Sequence, residues 1–144
     1  VAMTLISSVG GAAGPLYGAF FLRAIKNTGG EAVSSNDLAT MFSDGLEGVQ
    51  QRGKAQLDEK TMIDSLQPAV EALNIAVASG VEIEDALVSA AEAAKQGMKH
   101  TSDLQASKGR ASYLGTRSIG HQDPGATSTY YLIKTAAESL GQNT

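Results

Sequence analysis

The chain has 144 residues, of which 42% are hydrophobic, so it is long and apolar enough to form a domain with a sizeable core and is not a disordered protein. It contains no cysteine, which excludes a disulfide scaffold and a thiolate metal site and fits a reducing compartment such as the cytoplasm. Its formal net charge of −4 argues against a surface for nucleic acid or for an anionic membrane.

The first 22 residues carry no charged side chain, which is about the length of a membrane-spanning helix. The sequence Gly-Gly-Ala-Ala-Gly-Pro at 10–15 would break a single span, and no basic segment precedes it as in a signal peptide. We therefore expect two buried helices that meet at a glycine-rich corner. The first covers residues 1–9 and begins without a capping residue, which indicates that further sequence precedes it.

Four further segments before residue 105 have apolar residues at helical spacing, and each predicts a helix. Two of them open with Ser or Thr followed three residues later by Asp, as in a capping box. Pro68 lies inside one of them and is expected to bend that helix. The predicted helices are 16–25 (ended by Gly29 and Gly30), 34–49 (begun by Ser34 and Asp37), 61–79 (begun by Thr61 and Asp64, ended by Gly80) and 83–104.

The helical pattern fails between Ser107 and Gln122, a segment that is too polar for the core and too long for a simple turn. Asp123 as the N-cap and Pro124 at the first helical position then begin a last helix, which runs to about Leu140. No segment shows the period of a strand. The sequence therefore predicts an all-α domain of six helices in an antiparallel, up-and-down arrangement.

Three polar connections that contain glycine stand out at 7–14, 53–61 and 108–125. Alternate connections of an up-and-down array emerge at the same end, so we expect these three to converge. The glycines of the first connection would let backbone N–H groups approach an anion, beside the positive end of the following helix. The set suits a phosphate ligand, although tight helix packing alone also explains a glycine-rich corner.

The basic residues allow two interpretations. Arg110 can offer a planar fork of donors to phosphate, or it can lie on the surface or pair with a carboxylate. His121 has no Ser or Cys partner that would indicate a catalytic base, and no standard phosphate-loop motif or cluster of Mg²⁺ ligands is evident. Two solvated loops are the simpler interpretation of the two basic windows, which contain Arg52, Lys54, Lys60, Lys108, Arg110 and Arg117.

Two motifs are long and specific: Gly-Arg-Ala-Ser-Tyr-Leu-Gly at 109–115 and Gly-His-Gln-Asp-Pro-Gly-Ala at 120–126. They follow Thr-Leu-Ile-Ser-Ser-Val-Gly-Gly-Ala-Ala-Gly-Pro-Leu-Tyr-Gly at 4–18, Arg-Gly-Lys-Ala at 52–55 and Lys-Thr-Met at 60–62. Taken in this order, the segments resemble the L subunit of dihydroxyacetone kinases, the nucleotide-binding subunit of that family. The resemblance covers nearly the whole chain.

The resemblance implies an eight-helix antiparallel barrel, of which about six helices are present, as a single nucleotide-binding domain over residues 1–144 that is incomplete at its N-terminus. It implies ADP or ATP as the ligand, with Mg²⁺ bound by aspartates upstream of this chain, so no metal ligand is expected here. It implies a partner K subunit that holds dihydroxyacetone on a histidine and accepts the phosphoryl group. In the version linked to the sugar phosphotransferase system, a phosphoprotein partner rephosphorylates bound ADP.

By resemblance, Met62 would pack on the adenine, and Arg110 would be the catalytic residue because it stabilises phosphate charge. Ala13 departs from the family, which often has a hydroxyl residue there. Asp58-Glu59 also departs, since it replaces a usual Gly-Asp, and we expect that change to alter the conformation of the loop. Carried over position by position, the nucleotide-binding residues are Ala12, Ala13, Gly53, Met62, Arg110, Asp123, Pro124 and Gly125.

Three functions are compatible with the sequence. A phosphotransferase subunit is the leading interpretation, while the missing metal ligands favour a nucleotide-liganded regulatory or interaction module without chemistry of its own. A helical scaffold without a ligand is the third. The sequence does not distinguish free ATP from a phosphoprotein as the phosphoryl donor. Because the first helices of the family are missing, we expect the apolar faces of 1–9 and 127–140 to be exposed or covered by another polypeptide.

Overall fold

The computed structural model describes residues 1–26, 30 and 32–141. All regular structure in these ranges is helical, which confirms the predicted all-α class. None of the described helices is long and apolar enough to cross a bilayer. The elements are α1 (Ala2–Ser8), α2 (Ala13–Ala24), α3 (Ser35–Gly53), α4 (Ile63–Ala78), α5 (Ile83–His100), two 3₁₀ helices (Thr101–Asp103 and Arg110–Ser118) and α6 (Pro124–Gly141).

The chain divides into two compact units, Val1–Lys54 and Ala55–Thr144. The first contains α1, α2 and α3, and the second contains α4, α5, the two 3₁₀ helices and α6. The three glycine-bearing connections are shared between these units. Their convergence at one end therefore stays a prediction, and so does the single domain over the whole chain.

The predicted helix boundaries agree closely with the described ones. α3 begins at the predicted capping box, in which the N–H of Asp37 donates to Ser34 Oγ at 3.1 Å and the N–H of Ser34 donates to the Asp37 carboxylate at 2.9 Å. The hydroxyl of Ser34 also donates to the Asp37 carboxylate at 2.6 Å, and this bond, together with the bond from the Ser34 N–H, lowers the pKa of Asp37. α4 continues through Pro68. The predicted stop at Gly29 lies outside the described residues.

Glycine allows α1 and α2 to approach each other closely. A Cβ added at Gly14 would lie 2.3 Å from the carbonyl oxygen of Val9, so only glycine fits there. A Cβ added at Gly10 or Gly11 would meet no atom within 4 Å. Packing therefore explains Gly14 but not the two glycines before it.

α1 is largely exposed, which contradicts the expectation of two buried helices at the start of the chain. Within α1, which is described in full, only Ala2 is buried, because this short helix contacts α2 through one narrow face. The expected exposure of apolar side chains in 1–9 and 127–140 is found only in part, since Ile133 and Ala137 of α6 are buried. The exposed apolar side chains of these two segments are Val1, Met3, Ile6, Val9, Tyr131, Leu132 and Leu140.

In the second unit, α4 and α5 approach until their backbones are in contact. A Cβ added at Gly97 of α5 would lie only 1.8 Å from the carbonyl oxygen of Asp64 in α4. One turn earlier, the hydroxyl of Ser65 in α4 donates to the carbonyl oxygen of Ala94 in α5 at 2.9 Å. Small residues on α5 thus set the distance between the two helices, and the buried alanines of this face are Ala86, Ala90, Ala91 and Ala94.

Gly97→Ala is expected to lower the free energy of unfolding by about 3 kcal/mol, at the upper end of what overpacking typically does. The added methyl group meets a backbone carbonyl, which moves only if α4 and α5 separate. Urea denaturation followed by circular dichroism measures the change. Gly141→Ala is the control, because a Cβ at Gly141 meets nothing within 4 Å. Equal stability of the two variants would show that α4 and α5 are not in close contact.

Candidate functional site

The ammonium group of Lys60 is buried, and backbone carbonyls accept all three of its N–H donors. The residue is 3% exposed. Its Nζ donates to the carbonyl oxygens of Thr101 at 2.6 Å, Leu104 at 3.1 Å and His121 at 2.5 Å. Because an ammonium has three donors, none remains for a ligand. The interpretation of the basic windows as solvated loops is therefore wrong for Lys60.

Asp64 organises the backbone that enters α4. One oxygen of its carboxylate accepts the N–H of Asp58 at 2.6 Å, and the other accepts the N–H of Thr61 at 2.7 Å. Thr61 Oγ1 in turn accepts the N–H of Ile63 at 3.1 Å. α4 begins at Ile63 with Met62 as its N-cap residue and no side-chain cap, so the helix starts two residues later than predicted. The carboxylate of Asp64 still accepts the N–H of Thr61, which is one half of the expected capping pair. The bonds of Asp64 also fix the backbone between Thr61 and Asp64, which includes Met62.

Two residues of this connection adopt left-handed backbone conformations that non-glycine residues rarely occupy, with φ of 66° at Asp58 and 61° at Lys60. Asp58 stands where the resemblance places a glycine, which would adopt this conformation without strain. Its carboxylate contacts His100 Nε2 at 3.1 Å. The altered loop conformation expected from Asp58 and Glu59 stays a prediction.

Asp123 caps α6 and also contacts the segment that follows α5. Its carboxylate accepts the N–H of Ala126 at 2.7 Å, as an N-cap side chain does. Its own N–H donates to Thr101 Oγ1 at 2.9 Å. Pro124 is the first residue of α6. The predicted roles of both residues at the helix start are confirmed.

The environment of Asp123 disfavours its negative charge. Burial raises the pKa of this carboxyl, and the nearby carboxylate of Asp64 raises it further. The backbone N–H groups of Ala126 and Gly125 act in the opposite direction, as does the ammonium of Lys60, but burial has the largest effect. A half-buried carboxyl with a raised pKa is therefore present at one of the predicted ligand positions.

Met62 lies against the turn at 123–125. A Cβ added at Gly125 would lie 3.4 Å from both the Cβ and the backbone nitrogen of Met62, and 3.0 Å from a carboxylate oxygen of Asp123. Met62 is 4% exposed. The second unit therefore brings together Met62, Asp123 and Gly125, residues that are about 60 positions apart in the sequence.

Arg110 is exposed at the start of the second 3₁₀ helix. No carboxylate in the described ranges forms an ion pair with it. The segment that carries Arg110 is nonetheless ordered by polar contacts. The buried hydroxyl of Ser118 accepts the N–H of Ala106 at 2.9 Å and donates to the carbonyl oxygen of Gly115 at 2.7 Å. The periodicity of the sequence could not predict this ordered segment, because polar contacts hold it and not a stripe of apolar residues.

In the first unit, the three predicted ligand positions lie at helix ends. Ala12 is the N-cap residue of α2 and Ala13 is its first residue, and no side chain caps this helix. Gly53 is the last residue of α3, and Lys54 follows it with a left-handed φ of 53°. The first N–H groups of α2 are thus able to donate to an anion.

The described residues do not fit a magnesium site. They contain no group of three or more His, Asp or Glu side chains that could hold a metal ion. Two carboxylates of the second unit accept backbone N–H groups, since Asp64 accepts those of Asp58 and Thr61 and Asp123 accepts that of Ala126. The Mg²⁺ that the resemblance implies therefore has no ligand set in this part of the chain.

The chain matches the family model described as the DAK2 domain over residues 1–138. It is 48% identical over 136 residues to the PEP-dependent dihydroxyacetone kinase, ADP-binding subunit DhaL, of Escherichia coli (strain K12), a match that covers 94% of this chain and 65% of that protein. It is also 48% identical over 131 residues to the PEP-dependent dihydroxyacetone kinase 1, ADP-binding subunit DhaL, of Listeria innocua, covering 91% of this chain and 61% of the relative.

A more distant relative is the human triokinase/FMN cyclase, which is 30% identical over 140 residues, covering 97% of this chain and 24% of that protein. The chain therefore spans less than two thirds of the length of the two bacterial relatives. These matches confirm the resemblance that the sequence motifs indicated.

Replacing Asp123 by Asn is expected to change how stability depends on pH. Because the folded-state pKa of Asp123 is raised above its ordinary value of 3.8, the folded protein binds this proton more tightly than the unfolded chain does. The resulting stability is complete below the unfolded-state pKa and is lost as pH rises through the folded-state pKa. Asp123→Asn keeps a capping side chain and removes this loss. Relative to the native protein, the variant should therefore gain stability as pH rises from the ordinary pKa of 3.8 through the raised folded-state pKa.

Urea denaturation at a series of pH values measures the difference, and Asp37→Asn provides a control of opposite sign. The pKa of Asp37 is lowered by its bonds from Ser34, so its ionised form stabilises the folded protein above the unfolded-state pKa. Asp37→Asn should therefore lose stability relative to the native protein as pH rises. A difference for Asp123→Asn that is flat with pH, or that follows Asp37→Asn, would contradict the raised pKa.

Proposed function

The chain belongs to the DAK2 domain family, and we propose that it is the nucleotide-binding part of a dihydroxyacetone kinase. It would hold ADP or ATP while a phosphoryl group passes to dihydroxyacetone on a partner K subunit. The observation that carries the proposal is the contact between Met62 and the Asp-Pro-Gly turn at 123–125, since it joins two separate motifs of the resemblance. The names of the bacterial relatives, which are ADP-binding subunits, support the choice of ligand.

The charge at the start of α6 limits which part of the nucleotide can bind there. The carboxylate of Asp123 already accepts the N–H groups of Ala126 and Gly125, so the amides that would otherwise attract a phosphate are occupied. A second anion at this position would also meet the carboxylate itself. We therefore assign the turn at 123–125, together with Met62, to the uncharged base and ribose of the nucleotide.

We assign the phosphate groups to Arg110 in the second unit. The start of α2, in the first unit, is by itself a helix end that can donate N–H groups to an anion. The guanidinium of Arg110 is exposed and has no ionic partner among the described residues, so its planar fork can donate to phosphate oxygens. During transfer, Arg110 would stabilise the negative charge that is shared among the phosphoryl oxygens. In the first unit, the positive end of α2 has no side-chain cap.

The source of the phosphoryl group is a separate part of the proposal. Relatives are named as PEP-dependent and as PTS-dependent, which supports a phosphoprotein of the phosphotransferase system as the donor partner, with bound ADP as a cofactor. Free ATP is the alternative donor. Both versions place the protein in the cytoplasm and involve neither nucleic acid nor a membrane surface.

A second candidate function is a nucleotide-liganded regulatory or interaction module that performs no chemistry. The observation that favours it is that the described residues offer no ligand set for Mg²⁺. Phosphoryl-transfer sites rely on the metal to neutralise the phosphates, so a chain without its own ligands needs them from elsewhere. Activity with a K subunit distinguishes the two functions, because only the first predicts phosphorylated dihydroxyacetone.

By itself, this chain is expected to bind ADP weakly, with little dependence on Mg²⁺, and to transfer no phosphoryl group to dihydroxyacetone. One guanidinium and several backbone amides can position a phosphate, but they do not replace the charge of a divalent ion. Calorimetric titration with ADP, with and without Mg²⁺, tests this expectation. Tight Mg²⁺-dependent binding would instead place the metal on Asp58, Glu59 or Asp123. Complete absence of binding would favour the scaffold without a ligand.

Arg110→Ala is expected to lower phosphoryl transfer on the order of 100-fold, since one charge-assisted contact to a developing anion stabilises the transition state by about 3 kcal/mol. The free energy of unfolding should change by less than about 0.5 kcal/mol, as for other exposed side chains. The assay measures phosphorylation of dihydroxyacetone after reconstitution with the family's N-terminal segment and a K subunit. Arg117→Ala is the control, because Arg117 is exposed on the same 3₁₀ helix. Unchanged turnover of Arg110→Ala would contradict its catalytic role.

A further inference from the structure

We propose that Lys60 is a positioning residue, which holds the turn at 123–125 in place against Met62. The part of this inference that concerns nucleotide affinity rests on the proposed function. The part that concerns the position of the turn rests only on the contacts within the second unit. The two parts are tested by different measurements below.

The side chain of Lys60 reaches the turn by two routes. The first is direct, because the ammonium holds the carbonyl oxygen of His121, two residues before Asp123. The second passes through Thr101, whose carbonyl oxygen accepts from Lys60 at 2.6 Å and whose hydroxyl accepts the N–H of Asp123 at 2.9 Å. Loss of the ammonium would therefore remove one hydrogen bond from His121, two residues before Asp123, and one from Thr101, whose hydroxyl accepts the first amide of the turn.

The backbone of Lys60 links its side chain to Met62. Met62 follows Lys60 by two residues, and the N–H of Thr61 between them is held by the carboxylate of Asp64 at 2.7 Å. The position of Lys60 is thus rigid with respect to Met62 and the start of α4. Because the same residue also holds His121 and Thr101, it fixes the distance between Met62 and the turn that contacts it.

A direct role in phosphate binding does not fit Lys60. Its three donors are already accepted by three carbonyl oxygens, and the residue is 3% exposed. A lysine that binds phosphate as a point charge needs a free N–H group facing the ligand. Lys60 therefore acts through the residues that it positions.

The test compares Lys60→Met with Leu87→Ala in this chain. Met keeps the length of the side chain and removes the ammonium, whereas Leu87→Ala opens a cavity in the core of α5, more than a helical turn away from all three carbonyls. Both variants are expected to lower stability against urea. Amide hydrogen exchange followed by NMR reports the position of the turn, and an NMR titration with ADP reports affinity even when binding is weak.

We expect Lys60→Met to increase exchange selectively at the amides of residues 122, 123, 125 and 126, and to weaken ADP binding about tenfold or more, as for a binding group whose support is lost. Leu87→Ala should leave ADP affinity within about twofold, because a general loss of stability does not move the turn. If Lys60→Met matches Leu87→Ala in both measurements, Lys60 has only a general structural role and the proposal is wrong.

A second variant tests the proposal if Lys60→Met does not fold. Thr101→Val removes the hydroxyl that accepts the N–H of Asp123 and keeps the carbonyl that Lys60 contacts. We expect faster exchange at the amide of Asp123 and weaker ADP binding, and unchanged values for both would overturn the proposal. If the native chain binds no ADP, the proposed function fails, while the exchange measurements still decide whether Lys60 positions the turn.

Discussion

A buried ammonium group is stable only if the protein replaces the water around it, and in the second unit three backbone carbonyls do this for Lys60. The same bonds satisfy carbonyls of a segment that has no regular α-helical hydrogen bonds of its own. Each such carbonyl left without a donor in a buried position would cost about 1–3 kcal/mol. The lysine and the polar connection between α5 and α6 therefore stabilise each other, and neither would hold this arrangement alone.

The helices of this chain could be predicted from its sequence because local signals specify them. The capping pair at Ser34 and the Asp-Pro start of α6 are each visible within a few residues, and each is confirmed by hydrogen bonds in the structure. At Thr61 and Asp64 only the bond from the Thr61 N–H forms, and α4 begins two residues later, at Ile63. Lys60 carries no such signal. It lies beside acidic residues in a polar connection, which is typical of a solvated loop, and its partners Thr101 and His121 are 41 and 61 residues away.

The candidate site, like the helices and Lys60, was predictable from the sequence only in part. The residue identities at 109–115 and 120–126 were sufficient to indicate the family, whereas the environment of each residue was not predictable. The ligand contacts carried over from the family stay a prediction. Gly10, Gly11 and Gly14 look equivalent in the sequence, yet only Gly14 has a backbone oxygen where its Cβ would be. The sequence also did not show that most of α1 is exposed. Apolar periodicity indicates which residues can be buried, but not which surface covers them.

The two helix starts among the predicted ligand residues differ in their capacity to bind an anion. From sequence alone, every predicted helix N-terminus is a possible anion site, because the first N–H groups of a helix have no partner within it. At α6 the carboxylate of Asp123 occupies those groups, and burial of this carboxyl makes a further negative charge beside it unfavourable. At α2 no side chain does so. Within the second unit, the base then belongs beside Met62 and the turn, and the phosphates belong at the guanidinium of Arg110, which no described carboxylate neutralises.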